Sequence, residues 1–182
     1  MNASTLPAVG EAAPDFTLSD DTGTNQTLSA QRGRWVVLFF YPKDFTPGCT
    51  SEVCEFRDLS PEFEAAGATV WSVSVLDGES KARFKAEHGL TFPLLADPDH
   101  AVAERYGVWV EKKNYGKTYW GIARTTFLID PDGVVALVWP KVMVVGLAAA
   151  VLETVRQAAT CRPKALPDKG IDVARGGRRA TP

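Results

Sequence analysis

Trp35-Val-Val-Leu-Phe-Phe-Tyr-Pro-Lys-Asp-Phe-Thr-Pro-Gly-Cys-Thr-Ser-Glu-Val-Cys54 changes its hydrophobic period part-way along, and that change decides the fold. Its opening, Trp35 to Phe39, is an unbroken apolar run, the pattern of a central strand covered on both faces. From about Pro47 to Ala66 the period is helical. Val53, Phe56, Leu59 and Phe63 recur every three or four residues, with Glu52, Glu55, Asp58 and Glu62 between them. Thr46 is expected as the N-cap and Pro47 in the first turn, with acidic side chains near the positive end of the helix dipole. Cys49 then falls in the first turn of a helix that leaves the end of a buried strand.

That placement bears on chemistry. A thiol of ordinary pKa, about 8.5, is mostly protonated at neutral pH, and the thiolate is the nucleophile. Unpaired backbone N–H groups at a helix start favour the anion, and a nearby arginine adds to the effect. A cysteine taken alone is more often a small buried hydrophobe, but these surroundings favour a reactive one. Cys54 follows five residues later. On a continuous helix that separation is about 500° of rotation and about 7.5 Å of rise, so a bond between the two needs the turn to unwind. Two readings stay open here: two permanently free thiols, or a pair held apart when reduced and joined after local unfolding.

Tyr41-Pro-Lys-Asp-Phe-Thr-Pro-Gly-Cys-Thr-Ser-Glu-Val-Cys54 resembles the active-site loop of the peroxiredoxins, in particular the bacterioferritin-comigratory-protein or PrxQ subgroup. Pro42, Thr46 and Cys49 match the family pattern Pro-x-x-x-Thr-x-x-Cys, and Cys54 matches the subgroup's second cysteine. The likeness runs from about Gly10 to Gln157. It implies a thioredoxin-like fold and a peroxidase that reduces hydrogen peroxide and organic hydroperoxides. Cys49 would be the peroxidatic nucleophile, oxidised to a sulfenic acid, and Cys54 the resolving thiol of an intramolecular disulfide recycled by thioredoxin.

The resemblance also assigns residues around the thiol. Arg124, in Ile122-Ala-Arg-Thr-Thr-Phe-Leu-Ile-Asp130, matches the family's active-site arginine, although an arginine by itself is usually a solvated surface residue. Thr46 would hydrogen-bond a bound peroxide, or serve only as a cap. Pro42 would shield the thiolate from water, and Glu52 would tie the loop down. The chain departs from the subgroup at Gly146-Leu147, where a Gly-His pair is frequent. No cofactor or metal is implied, and a monomer or weak homodimer suffices because the resolving cysteine is in the same chain.

The remaining pattern fits an α/β protein with a mixed sheet between helices. Ala13–Leu18 and Asn25–Leu28 flank the turn Asp20–Gly23 and read as an N-terminal hairpin. Thr69–Val75 is a strand, and Asp77 or Ser80 starts the helix Lys81–His88, closed by Gly89. Phe92–Leu95 is extended, Asp97-Pro-Asp99 caps the helix His100–Tyr106, and Gly107 stops it. Val108–Gly121 reads as an exposed loop or irregular ribbon. Thr125–Ile129 and Val134–Trp139 flank Asp130-Pro-Asp-Gly133, a strong hairpin signal, and Val144–Arg156 is a closing helix. Residues 1–159 are expected to form one domain. Residues 160–182, polar, locally basic and rich in Pro and Gly, are expected to be a disordered tail in which Cys161 is incidental or available for a mixed disulfide.

Composition excludes several alternatives. The chain has 182 residues and a net charge of −2, which gives no basis for a nucleic-acid partner. No apolar run approaches a membrane span, and Met1–Ala8 lacks the features of a signal peptide, so a reducing cytoplasm is the expected location. With two histidines, His88 and His100, both in polar helical contexts, a Cys-His hydrolase lacks a base and a structural zinc site lacks ligands. Neither a Gly-x-Gly-x-x-Gly nor a Walker loop is present. A thiol-disulfide oxidoreductase normally uses Cys-x-x-Cys, and the four-residue spacer here argues against it. A non-enzymatic redox sensor would form the same disulfide but turn over poorly with thioredoxin.

Overall fold

The computed structural model describes residues 5–141 and 143–161. Its centre is β3 (Trp35–Phe40), a strand buried at every position, as the unbroken apolar run requires. β4 (Ala68–Ser74) pairs with β3 in parallel, whereas β8 (Thr125–Ile129) pairs with it antiparallel on the other side. The hairpin β1 (Thr17–Asp20) and β2 (Asn25–Thr27), together with β5 (Leu94–Ala96) and β9 (Val135–Pro140), completes a mixed seven-stranded sheet. Its order is β2-β1-β5-β4-β3-β8-β9. Alternate residues of β3 serve two cores. Val37 and Phe39 pack with α1 (Pro47–Asp58), α2 (Ser60–Ala65), α3 (Gly78–His88) and α5 (Leu147–Cys161). Val36, Leu38 and Phe40 face α4 (Ala101–Arg105) and the N-terminal segment.

Most element boundaries follow local chemistry. Asp77 caps α3 by accepting a hydrogen bond from the Ser80 amide at 2.9 Å, and Gly89 ends it in the left-handed conformation. The Asp97 carboxylate accepts the Val102 and Ala103 amides at the start of α4. The turn Asp130–Gly133 joins β8 to β9 as expected.

Four expectations need correction. The helix read through Pro47–Ala66 is two helices, broken at Leu59, because Pro61 has no N–H to continue the ladder. The ribbon Val108–Gly121 is a regular hairpin, β6 (Trp109–Asn114) and β7 (Lys117–Ile122). Its turn places Tyr115 and Gly116 at positive φ, a type I′-like geometry hidden by the non-consensus tyrosine. The closing helix starts at Leu147 rather than Val144 and runs through Cys161, two residues into the segment read as tail. Residues 162–182 of that segment lie outside the described residues. Finally, the first turn of α1, Pro47 to Thr50, holds no acidic residue, and the first carboxylate on the helix is Glu52 in the second turn.

Candidate active site

Everything chemically distinctive gathers at the C-terminal end of β3. Phe40 is in register with Thr125 of β8, so Arg124, one residue earlier, lies beside the chain as it leaves β3. α1 starts at Pro47, and its third residue is Cys49, 1% exposed and packed in the core with Phe39, Tyr41 and Val53. Arg124 Nη2 donates a hydrogen bond to Cys49 Sγ at 3.4 Å. Cys49 and Glu52 are three residues apart and share one helix face, so the same guanidinium reaches both. Its Nη1 forms a close ion pair with Glu52 Oε2.

Glu52 therefore points inward, contrary to its expected place on the polar side of the helix. Its carboxyl is 1% exposed, and Oε1 has no hydrogen-bond partner. Burial pushes its pKa up to about 7, against the opposing pull of Arg124. Burial also works against the Arg124 charge, but Glu52 and Cys49 outweigh it and hold the guanidinium above its ordinary pKa. Gly48 leaves room for this contact: a β-carbon there would lie 3.3 Å from Arg124 Nη2. A second cation is close by. Lys112 of β6 donates to the Ile122 carbonyl, and burial followed by the Arg124 charge lowers its pKa.

Thr46 occupies the N-cap position with extended backbone (φ −94, ψ 146), but its side chain does not cap the helix. Its hydroxyl donates instead to the Lys43 carbonyl at 3.0 Å and closes the preceding loop. Pro42 is half-buried in that loop. Cys54 lies half-buried on the same unbroken α1 as Cys49, and Cys161 is exposed at the end of α5; all three thiols are free. Among the described residues no cluster of three or more His, Cys, Asp or Glu side chains suits a metal ion, and no helix is long and apolar enough to cross a membrane.

The AhpC/TSA family model matches residues 9–138 of the chain. This chain belongs to the AhpC/TSA family. It is a peroxiredoxin of the Bcp/PrxQ type, a thiol-dependent peroxidase on a thioredoxin-like fold. A protein named putative peroxiredoxin bcp in Coxiella burnetii is 49% identical over 144 residues, 79% of this chain and 95% of the relative. Peroxiredoxin Bcp of Bacillus subtilis is 45% identical over 148 residues, covering 81% and 94%. A crystal structure of a cysteine-to-serine mutant of Xylella fastidiosa PrxQ superposes with a TM-score of 0.81 at 37% identity, covering 85% of this chain and 99% of that one. Xanthomonas campestris peroxiredoxin Q gives a TM-score of 0.76 at 46% identity, covering 79% and 91%. The family implies a peroxide substrate and a thioredoxin-like reductant for this peroxiredoxin.

Sequence reasoning missed two features of the site. The inward turn of Glu52 had no signal in the helical period, because a glutamate between apolar positions is ordinarily solvated. The burial of Asp44 and Lys81 beneath the loop was equally hidden, since each looks like a surface charge in its local context.

Proposed function

We propose that Cys49 is the peroxidatic residue of a thioredoxin-recycled cycle that reduces hydrogen peroxide and small organic hydroperoxides. The supporting observation is the 3.4 Å contact between Arg124 Nη2 and Cys49 Sγ at the start of α1. The Cys49 thiolate attacks one peroxide oxygen; an S–O bond forms, the O–O bond breaks, and sulfur loses two electrons. The departing hydroxide or alkoxide takes a proton and leaves as water or alcohol. Arg124 faces both the sulfur and the developing negative charge, which is where a fixed cation lowers the barrier. Thr46 and Pro42 line the approach: the Thr46 hydroxyl, whose proton goes to the Lys43 carbonyl, offers its oxygen as an acceptor for the peroxide O–H, and Pro42 shields the thiolate from water.

The Cys54 thiol then attacks the Cys49 sulfenic acid, releasing water and forming the intramolecular disulfide. Because α1 is continuous from Pro47 to Asp58, its first two turns must unwind for this bond to form. A dithiol such as thioredoxin returns both cysteines to thiols and becomes a disulfide itself. A published structure of the Xanthomonas campestris homologue is described in terms of alkyl peroxide reduction, which favours organic hydroperoxides as substrates here too. The rest of the reading is a cytoplasmic monomer or weak homodimer without nucleic-acid or membrane partners. The peroxidase domain would extend through Cys161, where α5 ends, and the basic segment after it would be dispensable for chemistry.

Peptide mass spectrometry after one equivalent of hydrogen peroxide tests the cycle. The expected product is a Cys49–Cys54 bridge that thioredoxin removes. A Cys49 sulfenic or sulfinic acid beside a free Cys54 would discard the resolving residue alone. An unreacted Cys49 would discard the enzyme reading of this site.

A further inference from the structure

Lys81 has no place in the recognised motif, yet it is fully buried, at 0% exposure, beneath the loop that leads to Cys49. It lies in the first turns of α3, where Asp77 caps the helix, and α3 follows β4. β4 runs parallel to β3, with Val73 opposite Phe40, and the Tyr41 amide donates to the Val73 carbonyl at 3.1 Å. Ser74 and Lys81 are thereby carried to the same sheet end as the reactive loop.

The Lys81 ammonium donates to Asp44 Oδ1 at 3.1 Å and to the Tyr41 hydroxyl at 3.0 Å, and it contacts Ser74 Oγ. Asp44 also accepts from Tyr41 at 2.5 Å, from Ser74 at 3.3 Å, and from Ser80 at 2.9 Å. A buried carboxylate so fully satisfied, by donors from β4, α3 and its own loop, is held in one place. The next residue, Phe45, sits at φ 61, a left-handed conformation unfavourable for a side chain of this size. Its ring packs edge-on against Phe84 of α3, with centroids 5.0 Å apart. Thr46 and the first turn of α1 follow directly.

We propose that Lys81 is a positioning residue for Cys49: by clamping Asp44 and Tyr41 it holds the Tyr41–Thr46 loop in the shape that sets Cys49 against Arg124, and thereby opposes the unwinding that Cys54 needs. This rests on the cycle proposed above. Burial lowers the pKa of Lys81, while Asp44, Asp77 and Cys49 favour its charged form. The clamp does no chemistry itself. It sets the balance between a reactive folded loop and an open one.

The test is single-turnover stopped-flow fluorescence on reduced wild-type protein, Lys81→Met and Ser80→Ala. It resolves a peroxide-dependent phase, Cys49 oxidation, from a peroxide-independent phase, disulfide formation. Lys81→Met should slow the first phase by about tenfold to a hundredfold, as expected for a misplaced reactive group, and accelerate the second several-fold. Ser80→Ala, which removes one hydrogen bond to Asp44, should shift both phases the same way by about threefold, a loss of one ordinary hydrogen bond. A general loss of structure would slow both phases together. Removing one partner of a buried ion pair strands the other charge, so if Lys81→Met fails to fold, Ser80→Ala decides. Unchanged phases, or phases that fall together, overturn the clamp. Absence of any peroxide-dependent phase in the wild-type protein would instead overturn the cycle on which it rests.

Discussion

The Arg124 guanidinium divides itself between two residues of one helix face: Nη2 faces Cys49 Sγ at 3.4 Å, and Nη1 is paired with the buried carboxylate of Glu52. Glu52 thus fixes the fork that the thiol faces, and the cation cannot swing away without exposing a buried carboxylate to an unpaired state. The arrangement is rigid on both sides. It explains why a planar, bidentate cation stands here rather than a lysine.

Arg124→Ala should lower the second-order rate of Cys49 oxidation by about a hundredfold to a thousandfold, the usual cost of removing one donor aimed at developing charge. Arg124→Lys should recover only part of it, because an ammonium cannot hold Glu52 and face Cys49 at once. Stopped-flow measurement with hydrogen peroxide checks both. A variant within about threefold of wild type would remove Arg124 from the mechanism.

Gly48→Ala offers a finer probe of the same contact. The new methyl would sit 3.3 Å from Arg124 Nη2, close enough to push the guanidinium by a few tenths of an ångström. Alanine in a helix is favoured over glycine by up to about 1 kcal/mol, so the melting temperature should hold or rise. The peroxide rate should nevertheless fall, by up to about tenfold. Loss of stability in place of activity would contradict the geometry.

Glu52 should give stability a pH dependence of definite sign. Its folded pKa, about 7, lies above the ordinary value of 4.5, so the native chain binds the extra proton between those limits. The stabilisation is complete below about pH 4.5 and is lost as pH rises through about 7. Urea midpoints of the wild-type protein should therefore fall across this window relative to those of Glu52→Gln, which carries no titrating proton there. Parallel curves would show that Arg124 keeps Glu52 ionised throughout.

Ending the chain after Cys161, which keeps α5 whole, should leave the peroxide reaction within about twofold of the full-length rate and the Cys49–Cys54 bridge intact. Cys161→Ser should behave the same way. A larger loss in either would give the C-terminal segment a part in catalysis.

Much of this was legible in the chain. The apolar run at Trp35–Phe40 and the switch to a helical period at Pro47 located β3, α1 and Cys49 between them. Asp77, Gly89, Asp97 and Gly133 marked boundaries through side-chain hydrogen bonds and positive φ, both properties of a few adjacent residues. The hairpin β6–β7 was missed because its charged and aromatic residues mask the alternation and its turn uses Tyr115. The helix break at Leu59 was missed because the apolar period runs straight through Pro61. Those failures are local ones, where two short-range signals compete.

The sequence by itself determined which residues are chemically equipped: a cysteine at a helix start, a second five residues on, and the motif that joins them to Pro42 and Thr46. Only the tertiary structure decided what surrounds them. Arg124 meets Cys49 across 75 positions because the register of β8 on β3 puts Thr125 beside Phe40. Lys81 meets Asp44 across 37 because β4 returns α3 to the same sheet end. The inward turn of Glu52 follows from Arg124 being there to receive it. Local period and composition report what a residue prefers, whereas burial and charge pairing depend on partners that strand register alone brings within reach.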